Sequence, residues 1–236
     1  MSLFAKQRIG LFSAGACLGV LLAASLLTGA CASSEQSATR ETRRTVEVGD
    51  QRLETRLLFA DTFDDLDAWT TLGDGSVWTL RDGQLVGRWG REGSSTLWSK
   101  ESFAGDVLIT FDGKVLSPDQ AWVTEDLPEG GKNLNPHFMV TGPEGGDILE
   151  VYPKLRASGT GPNAAGFDQY HGYVLTWTRH HARLRRSPGY EKVQGNLNFL
   201  PQLNTSYHFR LLRQGDRPRY WINDILIFDY TDPALG

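Results

Sequence analysis

The chain has 236 residues, a formal charge of −4 and two cysteines. That length makes one domain of ordinary size, able to bury a core unaided, and two cysteines exclude a disulfide scaffold or a Cys-rich zinc site. The mildly acidic balance lacks the basic footprint of a nucleic-acid binder. Both cysteines, Cys17 and Cys31, lie near the start, so the rest of the chain holds no thiol nucleophile.

In chain order, Lys6 and Arg8 precede a run of apolar and small residues, 9–27, the pattern of a bacterial export signal. The run ends Leu27-Thr28-Gly29-Ala30-Cys31, which resembles the lipobox of secreted lipoproteins, with Leu27 one place further from the cysteine than usual. The resemblance implies cleavage before Cys31, acylation of its thiol, and a domain anchored to a bacterial membrane facing the periplasm or exterior. The alternative is a retained transmembrane helix, since the run is about long enough to span a bilayer. Losing residues 1–30 removes two bases and no acid, so the mature chain is more negative. Residues 31–55 lack aromatics and apolar periodicity and read as a flexible tether. Their arginines Arg40, Arg43 and Arg44 are a solvated part of it, or a contact to anionic lipid.

From residue 56 onward, short strand-like runs alternate with turn residues. Residues 56–60 form the first. Residues 77–80 and 84–87 flank Asp82-Gly83, whose glycine suits the positive φ of a hairpin turn. Runs at 96–99, 107–112, 137–140 and 148–152 follow, then an aromatic, β-branched run from His171 to Thr178. Residues 206–212 and 219–222 alternate, and Asn223-Asp224 turns the chain into 225–228. About ten strands with Gly, Pro and Asp turns predict an all-β antiparallel sandwich or barrel. No blade-length repeat, Gly-rich phosphate loop or G-x-S-x-G elbow occurs.

The segments LLFADTFDDLDAWT, VWTLRDGQLVG and LWSKESFAGDVLITFDGKV resemble the opening of concanavalin A-like lectin/glucanase domains. They are similar to 3-keto-disaccharide hydrolase domains as well. NPHFMVTGP through YHGYVLTWTRHHARLRRSPGY looks more like the YesU-like family, of uncertain function and the same fold. YHFRLLRQGDRPRYWINDILIFDYTDP matches that family's closing hairpin, with Asp224 where glycine is usual. The resemblance implies a concanavalin A-like jelly-roll over residues 56–236. It also implies one further closing strand after Asp232, for which the sequence up to Gly236 leaves no room, so a lost final strand is expected.

The most unusual stretch is Trp177 to Tyr190. If the strand beginning at His171 runs straight through it, residues i and i+2 share a face. That face would carry His171, Tyr173, Trp177, Arg179, His181, Arg183 and Arg185, with Tyr190 close by. Rings stack on sugars, and arginine forks grip carboxylate or sulfate, so this pattern suits an acidic glycan. The alternative is a solvated edge strand blunted by charge; the resemblance, which includes this stretch, favours binding. Asn135 and His137, two apart, also share a face, and His137 or His171 is a candidate base near neutral pH. Glu150 is a candidate general acid or base, but Asp147 and Glu150 are three apart and fall on opposite faces of a strand, so the paired carboxylates of retaining glucanases are absent. Adjacent His180 and His181 cannot converge on one metal from a strand. Asp61, Asp64, Asp65 and Asp67 either serve ordinary turns or hold a structural calcium, the one cofactor the sequence suggests. Three functions compete: an extracytoplasmic glycoside hydrolase or uronate lyase, a non-catalytic glycan-binding lipoprotein, and a structural envelope lipoprotein without ligand.

Overall fold

A computed structural model describes residues 2–5, 43–73, 76–81, 83–89, 95–117, 133–151 and 170–233. The apolar run, Cys17, Cys31, Asp82 and the start of the tether lie outside the described residues. In chain order the strands are β1 (Ser2–Ala5), β2 (Arg43–Val48), β3 (Gln51–Arg56), β4 (Trp69–Gly73), β5 (Ser76–Arg81), β6 (Gln84–Trp89), β7 (Ser95–Ser99) and β8 (Val107–Val115). They continue as β9 (Asn133–Leu134), β10 (His137–Thr141), β11 (His171–Thr178), β12 (Ala182–Ser187), β13 (Glu191–Asn196), β14 (Tyr207–Gln214), β15 (Arg217–Ile222) and β16 (Ile225–Asp229).

All pairings are antiparallel. One sheet has the order β16-β15-β14-β8-β1-β6-β5; the other runs β10-β11-β12-β13, with β9 also on β11. The inner faces of the two sheets meet in one core. Phe111, Phe209, Leu211, Tyr220 and Ile222 come from the first sheet, and Tyr173, Leu175, Trp177 and Leu184 from the second. This is the all-β, antiparallel sandwich that alternating apolar strands predict. The hairpins marked by turn residues form where expected. Gly83 has φ +65° between β5 and β6, and Asn223 and Asp224 have φ +48° and +65° between β15 and β16, a type I′ geometry matched to strand twist.

Four local expectations are corrected. Residues 57–60 are not a strand. Residues 148–151 are one helical turn: Asp147 Oδ1 accepts from Leu149 N at 2.8 Å and caps it, overriding the β-branched character of the run. Residues 43–55, expected as tether, form with Arg56 the β2–β3 hairpin, which covers the outer face of the first sheet. Val48, fully buried there, packs with Leu108, Leu212 and Trp221, and that buried apolar patch orders an otherwise polar segment. Gly49, at φ +61°, turns this hairpin so close to Trp221 that a Cβ would sit 3.0 Å from the indole nitrogen. Fourth, the strand from His171 does not continue to Arg185. It ends at Thr178, and Thr178 N donates to His181 O at 2.8 Å in a tight turn.

Ser2–Ala5, from the segment read as an export leader, pairs with β6 and β8. At the other end of the chain, Asp232 is buried between the sheets. It accepts from the Tyr173 hydroxyl and, at 2.9 Å, from Arg186 Nη1, while Arg186 Nη2 reaches Glu191 at 2.8 Å. This clasp fastens the segment after β16 to the second sheet.

Candidate functional site

The turn at residues 179–181 decides which residues share a face. β12 runs back beside β11 with Thr176 opposite Arg183, Val174 opposite Arg185 and Leu175 opposite Leu184. Paired residues point the same way, so even-numbered residues of β11 share a face with odd-numbered residues of β12. Tyr173 and Trp177 therefore turn inward with Leu184, while Arg183 and Arg185 turn outward. The same count continues to β9 and β10, where Leu134 lies opposite Trp177 and His137 opposite Val174. Asn135 and His137 thus fall on the outer face with the two arginines.

That face is the candidate site. Its floor is Val174 and Thr176, both buried. On one side stand Arg183 and Arg185, and Lys192 lies opposite Arg185 on β13. On the other side are Asn135 and His137. Arg185 lies over the ring of Tyr190, 4.3 Å from its centroid, and its Nη1 donates to Tyr190 O at 2.9 Å. Tyr190 follows the Pro188-Gly189 turn and holds φ +52°, a strained backbone for a tyrosine that these two contacts help retain. Burial pushes its phenol up, against the lowering effect of Arg185 and Arg183.

At the far side, His137 is wedged between Trp98 of β7 and Tyr170, with ring centroids 5.5 Å and 6.3 Å away. A 2.8 Å hydrogen bond joins His137 Nδ1 and the Tyr170 hydroxyl. Burial lowers the His137 imidazole from 6.5 to about 3. Three buried polar atoms on or beside this face have no hydrogen-bond partner among the described residues: Trp98 Nε1, Asn135 Oδ1 and Arg185 Nε. Such groups are rare, because each forfeits about 1–3 kcal/mol.

The residues singled out in sequence divide accordingly. Asn135, His137, Arg183, Arg185 and Tyr190 come together. Tyr173 and Trp177 do not join them: both are buried in the inter-sheet core, where the Trp177 indole N–H donates to Phe199 O at 3.0 Å. Neither is open to a sugar. Arg179 and His181 sit in the turn; burial, then Arg183, Arg185 and His180, hold His181 below its usual value. His137 is no base near neutral pH, since burial keeps it neutral but weakly basic. His171 is exposed at the start of β11, with Nε2 3.2 Å from Pro143 O, on the alternation shared with Tyr173. Glu150 is exposed on the helical turn rather than on a strand. The three candidate catalytic groups therefore do not share one face.

Sequence reading missed Trp98 and Lys192. Lys192 was reachable by carrying the count of alternating residues through the Pro-Gly turn; the contacts of Trp98 and Tyr170 are tertiary. The acids near the first strand are spent locally. Asp61 accepts from Phe63 N at 2.6 Å and from the Trp69 indole at 2.5 Å, Asp64 from Thr62 at 2.7 Å, and Asp65 from Asp67 N at 2.9 Å. Among the described residues no group of three or more His, Cys, Asp or Glu is placed to hold a metal ion. Nor is any helix there long and apolar enough to cross a membrane.

No protein-family model and no curated protein matches the chain. Among solved structures, a protein of unknown function with a galectin-like fold from Bacillus subtilis is similar at 16% identity and a TM-score of 0.55, covering 72% of this chain and 76% of that one. A carbohydrate-binding module, CBM66, from Bacillus subtilis aligns at 14% identity and a TM-score of 0.33, over 71% and 81%. The first likeness supports a galectin-like β-sandwich fold for this chain.

Proposed function

We propose that this chain is a carbohydrate-binding lipoprotein whose ligand lies across the outer face of the β10–β13 sheet. The observation that carries the reading is the gathering there of Arg183, Arg185 and Asn135 with the Tyr190 and Trp98 rings, together with three buried polar atoms that have no partner among the described residues. Sugars present hydroxyl edges and apolar faces, and this surface offers counterparts to both. Binding is favoured over hydrolysis or elimination because His137 is held neutral by burial and Glu150 is exposed on a helical turn rather than on a strand of this face. Titrating the purified chain with a panel of neutral and acidic glycans tests this. Binding without turnover is expected. Release of reducing ends or of unsaturated uronate would overturn the binding-only reading, and no binding across the panel would overturn the site.

The export segment supports anchorage through Cys31 to a bacterial membrane. Labelling cells with a fatty-acid analogue should mark the protein, and Cys31→Ser should lose the mark. Retained label in that variant would refute acylation at Cys31.

A further inference from the structure

We infer that this face recognises an anionic substituent of its glycan, a carboxylate or sulfate held by the Arg183 and Arg185 guanidinia; the inference rests on the glycan reading above. Arg183 and Arg185 are two apart on β12, which sets them about 7 Å apart on one face. Lys192 adds a third positive charge beside them. Among the described residues no strand position on this face carries a carboxylate. Its other paired strand positions carry Asn133, His137, Gly172, Val174, Thr176, Thr178, Ser187 and Gly195, and none offsets the charge.

Three arginines elsewhere contrast with this pair. Arg186 is matched by Asp232 and Glu191, Arg217 by Asp229, and Arg210 by Asp224. The Arg183 guanidinium makes no ion pair or hydrogen bond among the described residues; the Arg183 carbonyl accepts from the Thr176 hydroxyl at 3.4 Å. Arg185 spends Nη1 on a backbone carbonyl and leaves Nε buried without a partner among the described residues. In a chain with net charge −4, carboxylate partners are readily supplied, yet these two arginines face outward together without one among the described residues. Stacking on Tyr190 helps fix the Arg185 guanidinium in place on this face. Two such forks suit an anion with several acceptor oxygens.

The test is calorimetric titration of the full chain with polygalacturonate, a sulfated galactan and a neutral galactan, each at low and moderate salt. An acidic polymer should bind about 10- to 100-fold tighter than the neutral one, the range of a charged two-point hydrogen bond, and added salt should weaken it. The uronate and sulfate arms tell which anion is taken. Arg183→Gln should collapse the acidic-to-neutral ratio towards one, and Arg183→Lys, which keeps charge but not the fork, should recover only part of it. A neutral polymer binding as well as the acidic ones would overturn the anionic subsite and leave the glycan reading standing. Binding by no arm would remove the glycan reading and the subsite with it. Equal affinity for polyphosphate would overturn glycan-anion recognition in favour of plain ion exchange.

Discussion

Acidification should unfold this protein partly through one imidazole. His137 is wedged between Trp98 and Tyr170, and burial lowers its folded-state value from 6.5 to about 3. The unfolded chain takes up that proton near pH 6.5 and the folded chain does not, so protonation favours unfolding. Stability from this group is complete above pH 6.5 and drains away as pH falls towards 3. Each pH unit in that window removes about 1.4 kcal/mol, so pH 4.5 costs about 2.7 kcal/mol relative to neutral. Carboxylates titrate in the same range, so the wild type alone cannot isolate the effect. The glutamine variant His137→Gln keeps a polar group beside Tyr170 but has no proton to gain. Urea unfolding of both proteins from pH 7.5 to 4.5 gives a difference in unfolding free energy. That difference should shift by about 2–3 kcal/mol in favour of the variant as pH falls. A difference that stays flat across the range would refute the claim that burial keeps His137 uncharged.

Other outcomes follow from the packing. Asp232→Asn leaves Arg186 and the Tyr173 hydroxyl without their shared anion and should lower stability by about 3 kcal/mol in denaturant titration; a loss below 0.5 kcal/mol would mean the clasp is idle. Gly49→Ala meets both a positive φ and the Trp221 indole, so a loss of about 1–2 kcal/mol is expected in thermal unfolding. Glu150→Gln should leave glycan affinity unchanged in titration, because Glu150 is exposed on the helical turn and on no strand of the face. Cleavage before Cys31 would remove Ser2–Ala5 from between β8 and β6. Since β1 joins β6 to β8 in the sheet, the chain beginning at Cys31 should then unfold at a lower midpoint than the full chain, and an unchanged midpoint would show that β1 belongs to a leader rather than to the fold.

Hairpins with a turn residue of the right chirality were legible in the sequence: Gly83 and the Asn223-Asp224 pair marked theirs without ambiguity. The break after Thr178 was not. Thr178-Arg179-His180-His181 holds no Gly or Pro, and alternation continues on both sides, so nothing local separates one long strand from two. That turn inverted the parity of everything after it and sent Tyr173 and Trp177 into the core while leaving Arg183 and Arg185 outside. The pairing of Asn135 with His137 survived because Pro136 joins β9 and β10 without changing register. The β2–β3 hairpin was hidden for a different reason: its few apolar residues, Val46, Val48 and Leu53, gain their meaning only from Trp221, far along the chain. The 148–151 turn was hidden by residue type, since Ile148 and Val151 favour strands while Asp147 decides the matter through a cap.

The β2–β3 hairpin has a practical side for anyone excising the domain. A boundary drawn at residue 56, where sequence patterning begins, would strip the lid from Trp221, Leu212 and Leu108 and present a greasy flank to neighbouring molecules. The usable unit begins at or before Arg43, and what was read as slack between membrane and sandwich is in part the sandwich's own outer wall.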